Sequence, residues 1–119
     1  MTVNAAVAPT REEAVALMLP NLHMMAWLRT GQPLRPLDLV EDAMANQLTR
    51  QQQAIVDSGL ARAIVGTPTE AAAQVRDVAE HFGVDEVMVS PVASAYRGVD
   101  PRTAPGREQT LELLAKELF

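Results

Sequence analysis

The chain has 119 residues, a net charge of −5 and no cysteine. That suits one domain, residues 1–119, well short of the roughly 250 residues of a complete eight-stranded α/β barrel, and it excludes disulfides, thiolate nucleophiles and cysteine-ligated metal. The ten basic residues are scattered through an acidic chain, which argues against a nucleic-acid partner, and no apolar run approaches the ~20 residues of a membrane span; with no basic segment before an apolar one at the start, a cytoplasmic protein without a signal peptide is expected.

Thr2 to Ala8 (TVNAAVA) is apolar and partly β-branched and reads as a short strand or a frayed start. A strand that begins so close to residue 1 suggests a piece of something longer. Thr10-Arg11-Glu12-Glu13 is a capping box that opens a helix. Its apolar face is Ala14, Leu17, Met18, Asn21, Met24, Met25 and Leu28, and Pro20 should kink or split it. Thr30-Gly31-Gln32-Pro33 ends it, and Leu34 to Leu37 is a loop. Asp38 is placed to cap a helix with Leu39, Val40, Ala43, Met44 and Leu48 on its apolar side. Thr49 to Gln53 is polar, so the stretch up to Ser58-Gly59, which reads as a stop, forms one long helix or two short ones.

The stretch from Ala61 to Ser90 organises the chain. Ala63-Ile64-Val65 is a short apolar strand broken by Gly66. Thr67, Pro68 and Glu70 then make a capping box with proline at the first helical position, where its missing N–H costs nothing. Ala72, Val75, Val78, Ala79 and Phe82 form the apolar side of the helix, Gly83 is a left-handed C-terminal residue, and Val84 to Val89 is a second strand. Strand, helix and strand make a βαβ unit with parallel strands, which need cover on both faces. The Gly66-Thr67 turn lies at the C-terminal end of a parallel strand and the N-terminus of a helix. That pattern serves a phosphate cradle, and it equally serves an ordinary capped helix. Pro91 to Gly106 is a long proline-rich loop, and Arg107 to Phe119 is a last helix with Leu111, Leu114, Ala115 and Leu118 on one face.

Four stretches in order carry a resemblance to a known family. Val65-Gly66-Thr67-Pro68-Thr69-Glu70 before a helix, and Phe82-Gly83-Val84-Asp85-Glu86-Val87-Met88-Val89 into a strand, resemble the C-terminal part of the bacterial luciferase-like flavin-dependent monooxygenases. Ala8-Pro9-Thr10-Arg11-Glu12-Glu13-Ala14 resembles the family's A-x-T-x-x-E-A helix start. Arg107 to Leu118 resembles its closing helix, R-x-x-S-x-x-L-L-A. The resemblance runs from about Val3 to the end. It implies an α/β fold, the C-terminal third of a TIM barrel, helix-rich with about three short parallel strands: Thr2–Ala8 as strand six, Arg62–Val65 as strand seven and Glu86–Ser90 as strand eight.

The function the resemblance implies is flavin-dependent oxidation of a small organic substrate, with FMN or the deazaflavin F420. Gly66 and Thr67 would hold the flavin phosphate, and Ser90 could reach it. The first five strands of the family, which carry most of the flavin ring contacts, are absent, so the chain alone is expected to be inactive and to form a homo-oligomer through exposed parallel edges. The other reading is a non-catalytic α/β interaction or oligomerisation module.

The remaining candidates read as structural. His23 has no partner at helical spacing and suits a surface or an interface. His81 lies where it can meet its helix's C-terminus. Met18, Met24, Met25 and Trp27 form a packing stripe. Glu12-Glu13 and Asp85-Glu86 point different ways, and Arg97 and Arg102 are loop charges.

Overall fold

A computed structural model describes residues 2–33 and 36–119. Part of the expected 34–37 loop therefore lies outside the described residues. The elements in order are β1 (Thr2–Val7), α1 (Arg11–Arg29), α2 (Val40–Ala45), α3 (Arg50–Arg62), β2 (Ile64–Gly66), α4 (Pro68–Phe82), β3 (Met88–Pro91) and α5 (Pro105–Leu118). The chain is an α/β fold built on a parallel three-stranded sheet.

The strand order is β2-β1-β3, so the first strand lies in the middle. The two strands of the βαβ unit are parallel but do not touch. In a barrel whose strands follow one another in chain order, the second would lie between the first and the third. The register is staggered as well: β3 pairs with Thr2–Ala5 of β1, and β2 with Ala5–Val7.

Both faces of the sheet are covered, as parallel strands require. Ala6, Ala8 and Val65 pack under α1, α2 and α3, with Leu17, Met18, Leu22, Val40 and Val56. Val3, Ala5, Val7 and Ile64 pack on the other side, under α4 and α5, with Ala71, Ala72, Val75 and Leu114. The period-two alternation of β1 thus feeds two cores. Alanine fills much of the inner layer, which lets helices lie close to the strands.

Several local signals resolve differently from their expectations. Pro20 does not split α1, which runs unbroken through a buried proline. Asp38 does not cap α2; Leu39 is the N-cap residue and makes no side-chain cap bond. The polar Thr49 to Gln53 stretch is a helix start, with Thr49 and Gln52 forming a reciprocal capping box. Gly59 does not stop α3. It lets α3 approach α1, since a Cβ there would lie 2.8 Å from Leu22 Cδ2. The strand expected from Val84 begins only at Met88. Phe82 is exposed rather than buried, and in α5 Thr110 takes the inward place expected for Leu111. Among the described residues no helix is long and apolar enough to cross a membrane.

Candidate functional site

The C-terminal ends of β1 and β2 lie side by side, and each leads directly into a helix. Two helix N-termini, those of α1 and α4, therefore open at one end of the sheet, the end where α/β proteins place ligands. Thr10 caps α1, its hydroxyl accepting the Glu13 N–H at 3.2 Å. Thr67 caps α4, its hydroxyl accepting the Glu70 N–H at 3.3 Å. Gly66 has φ 143, and a Cβ there would meet the Glu70 side chain at 3.1 Å. Glycine is needed because the turn is both left-handed and crowded.

The donors of this turn are already engaged. The Thr67 N–H donates to Glu70 Oε1 at 3.1 Å, closing the box. That amide bond, with the Thr67 hydroxyl and the nearby Arg11 charge, holds the Glu70 carboxyl below the usual carboxylate range. The turn thus binds an anion, and the anion is the chain's own carboxylate. Pro68 carries no N–H to offer. Glu70 is exposed, so the carboxylate is held by these bonds and not by packing.

Arg11 stands beside the turn. Its guanidinium donates to the Val65 carbonyl at 3.2 Å. On the outer side of β2 the Gln74 carboxamide accepts the Val65 N–H and donates to the Val65 carbonyl, both at 2.9 Å. Sequence reading missed both residues. Arg11 is visible in the sequence only as one of nine arginines, within a helix-capping stretch, and Gln74 as a polar position on a helix. Their signal is spacing: each lies within one helical turn or two of a strand end, long enough to reach back to it.

Ser90 lies elsewhere. It pairs with Asn4, whereas Gly66 pairs with Val7, and β1 runs between them. Three residues along a strand and two strand spacings put the two sites roughly 14 Å apart, too far for a single phosphate. Ser90 instead lines a cavity of about 400 Å³ with Asp38, Leu39, Ser94 and Arg107. Arg107 donates to the Pro91 carbonyl at 3.1 Å, tying α5 to the end of β3.

The long loop after β3 is fixed by charge. The Arg97 N–H donates to both oxygens of Glu41, and its guanidinium meets Asp42 at 2.7 Å. Arg102 pairs with Asp100 at 3.1 Å. Tyr96 is exposed, yet the desolvation it does undergo, with the charges of Glu13 and Glu41, pushes its phenol up, so it stays protonated. His23 is buried rather than at the surface.

No protein-family model and no curated protein matches the chain. Among solved structures it is similar to the one described as apo-MsnO8, with a TM-score of 0.68 at 18% identity, over 98% of this chain and 33% of that one. At that identity the similarity speaks for the fold alone. The chain spans about a third of that protein's length.

Proposed function

We propose that the chain is the C-terminal part of a luciferase-like, flavin-dependent oxidoreductase acting on a small organic molecule, and that its share is a seat for the flavin phosphate at Gly66 and Thr67. One observation carries this reading: a crowded, left-handed glycine at the end of a parallel strand is followed by a backbone N–H, that of Thr67, which already holds a carboxylate. The motifs quoted above supply the family. The similarity in fold over nearly the whole chain is compatible with it, and the strand order is its main departure.

The donor set fits a phosphate once Glu70 turns away. The Thr67 amide is then free, and the Thr67 hydroxyl, while still accepting the Glu70 N–H, can turn its own hydrogen outward at the helix N-terminus, with the Arg11 guanidinium alongside. A bound reduced FMN or F420 supplies the redox chemistry. This chain's residues would seat its phosphate and shape one end of the sheet. Turnover would require the remaining two thirds of such an enzyme.

The test is a titration of the chain with FMN, followed by flavin fluorescence, in the native protein and in Glu70→Ala. Saturable quenching that inorganic phosphate competes away, tighter in Glu70→Ala, supports the seat. An absence of saturable quenching in both proteins overturns it. A second reading, an association module, is favoured by exposed apolar side chains. Phe82 is 57% and Met88 66% exposed. A discrete dimer by light scattering, in a protein that does not bind FMN, would support that reading.

A further inference from the structure

We propose that His23, Asn46 and Asp38 form a pH-sensitive latch that holds the 37–46 segment over the cavity beyond β3, and that protonation of His23 opens it.

His23 lies on α1 and is 4% exposed. The side-chain nitrogen of Asn46 lies 3.2 Å from His23 Nδ1 and 2.9 Å from Asp38 Oδ2. A carboxylate can only accept, so Asp38 fixes which way the Asn46 amide points. The same nitrogen then offers its other hydrogen to His23, and Nδ1 must accept it. The imidazole is therefore neutral, with its proton on Nε2. A proton on Nδ1 would set N–H against N–H, and the bond between α1 and Asn46 would be lost.

The segment held by this bond does more than bury a histidine. Leu37, Asp38 and Leu39 line the cavity that also contains Ser90 and Arg107. Directly after them, the Val40 N–H donates to the Ala95 carbonyl at 2.9 Å, and Glu41 and Asp42 hold Arg97. The 37–46 segment and the 95–97 loop are thus joined by several bonds, and the latch fastens the pair to α1.

Among the described residues, Asp38 is the charged group that acts on His23. Burial pushes its imidazole below the ordinary value, and Asp38 opposes that shift. Glu41 and Asp42 of α2 are turned to Arg97. From α3 the buried side chains are Gln52 and Val56, and its Arg50, Asp57 and Arg62 are exposed. The strands under α1 bring only uncharged side chains. Released into water, His23 would regain a pKa near 6.5, so the open form takes up the proton more readily. Opening is therefore favoured as pH falls below about 6.5, and the effect levels off below the lower pKa of the closed form.

Trp27 is the chain's single tryptophan, and its ring lies edge-on to His23 at 5.9 Å. An imidazolium quenches indole emission more than a neutral imidazole does, so Trp27 reports the protonation of His23. Amide hydrogen exchange at Val40 and Arg97 reports the opening. Between pH 7 and 5 their protection factors should fall by up to about tenfold per pH unit, the limit for one linked proton, together with the Trp27 signal, while Ala5 in β1 keeps its protection. His23→Gln keeps an acceptor for Asn46 and should remove the pH dependence of both signals. Asn46→Ala cuts the link, so Val40 and Arg97 should be poorly protected at every pH while Trp27 still titrates. Protection at Val40 and Arg97 that is independent of pH in the native chain, or that falls equally in His23→Gln, overturns the proposal.

Discussion

Replacing Thr110 by valine changes one buried hydroxyl and almost nothing of shape, and it should cost more than replacing Thr110 by serine. Thr110 is fully buried on α5. Its hydroxyl accepts the Val7 N–H at 3.1 Å and donates to the Gly106 carbonyl at 2.9 Å. Ala8 turns its N–H to β2, bonding Gly66, so Val7 turns its own polar groups to the β3 side. There β3 has already ended, opposite Ala5. The hydroxyl thus stands where a strand partner would be. Valine leaves the buried Val7 amide unpaired, which costs about 2 kcal/mol within a usual range of ~1–3. Serine keeps the bond and loses one buried methyl, about 1 kcal/mol. At about 4 °C per kcal/mol for a chain of this size, Thr110→Val should melt roughly 8 °C below the native chain and Thr110→Ser roughly 4 °C below. Urea unfolding followed by far-ultraviolet circular dichroism, with an unchanged slope, checks the order. A Thr110→Val protein as stable as Thr110→Ser would refute the idea that this hydroxyl completes the sheet.

Gln74→Leu should bare the Val65 N–H on the outer edge of β2, leaving the Val65 carbonyl to Arg11 alone, cost about 1 kcal/mol and raise the mass by light scattering as concentration increases; an unchanged mass would mean that the edge is protected by something else. Gly66→Ala forces a side chain into a left-handed turn against Glu70 and should cost about 1–2 kcal/mol. Gly83→Ala, with φ 63 and open space around it, should cost about 1 kcal/mol, and urea midpoints of the two variants test the difference. The Glu70 and Asp100 carboxyls are both held below their ordinary values, by bonds from Thr67 and Arg102 respectively. Their contribution is fully present above the ordinary carboxylate value near pH 4 and is lost as pH falls through their lower folded values. Glu70→Gln should therefore flatten the acid side of the stability profile, measured as urea midpoints from pH 6 to 2.5.

What the sequence made legible was local chemistry with a short reach. The Thr67 box, its proline and the left-handed Gly83 are set by contacts within four residues, and each stands as read. Strand β1 is legible only in part, from its apolar and β-branched residues, which suit a strand as well as a frayed start; the structure makes Thr2–Val7 the central strand. The failures share a cause, since each needed knowledge of a neighbour. Gly59 looks like a stop until α1 is laid against it. Leu111 looks like the inward residue of α5 until the sheet below asks for a hydroxyl at Thr110. His23 looks like a surface residue because its partners, Asp38 and Asn46, are 15 and 23 positions away and on another element. Ser90 and Gly66 both look like strand ends in the sequence, but β3 runs on to Pro91 and the stagger of β2 and β3 along β1 separates them.

The same stagger explains how so small a sheet closes its edges. Parallel strands leave N–H and carbonyl groups facing outward at each side, and an unpaired edge invites a second chain. Here two side chains take the places of strands. Gln74 presents a carboxamide, which has the donor and acceptor of a peptide group, to Val65 on the outer side of β2. Thr110 presents a hydroxyl oxygen, which accepts the Val7 N–H past the end of β3. Both come from helices of the same layer, α4 and α5. In a sheet continued by further strands, neither bond would be needed. Gln74 lies where a strand beside β2 would run, and in a barrel with strands in chain order that strand would be β3. Under the proposed barrel reading, the glutamine beside β2 and the position of β3 on the far side of β1 would be two views of one rearrangement. If residues N-terminal to this chain supplied strands, the geometry requires Gln74 to release Val65 before β3 could take its place, and Gln74→Leu would favour that pairing over the one seen here.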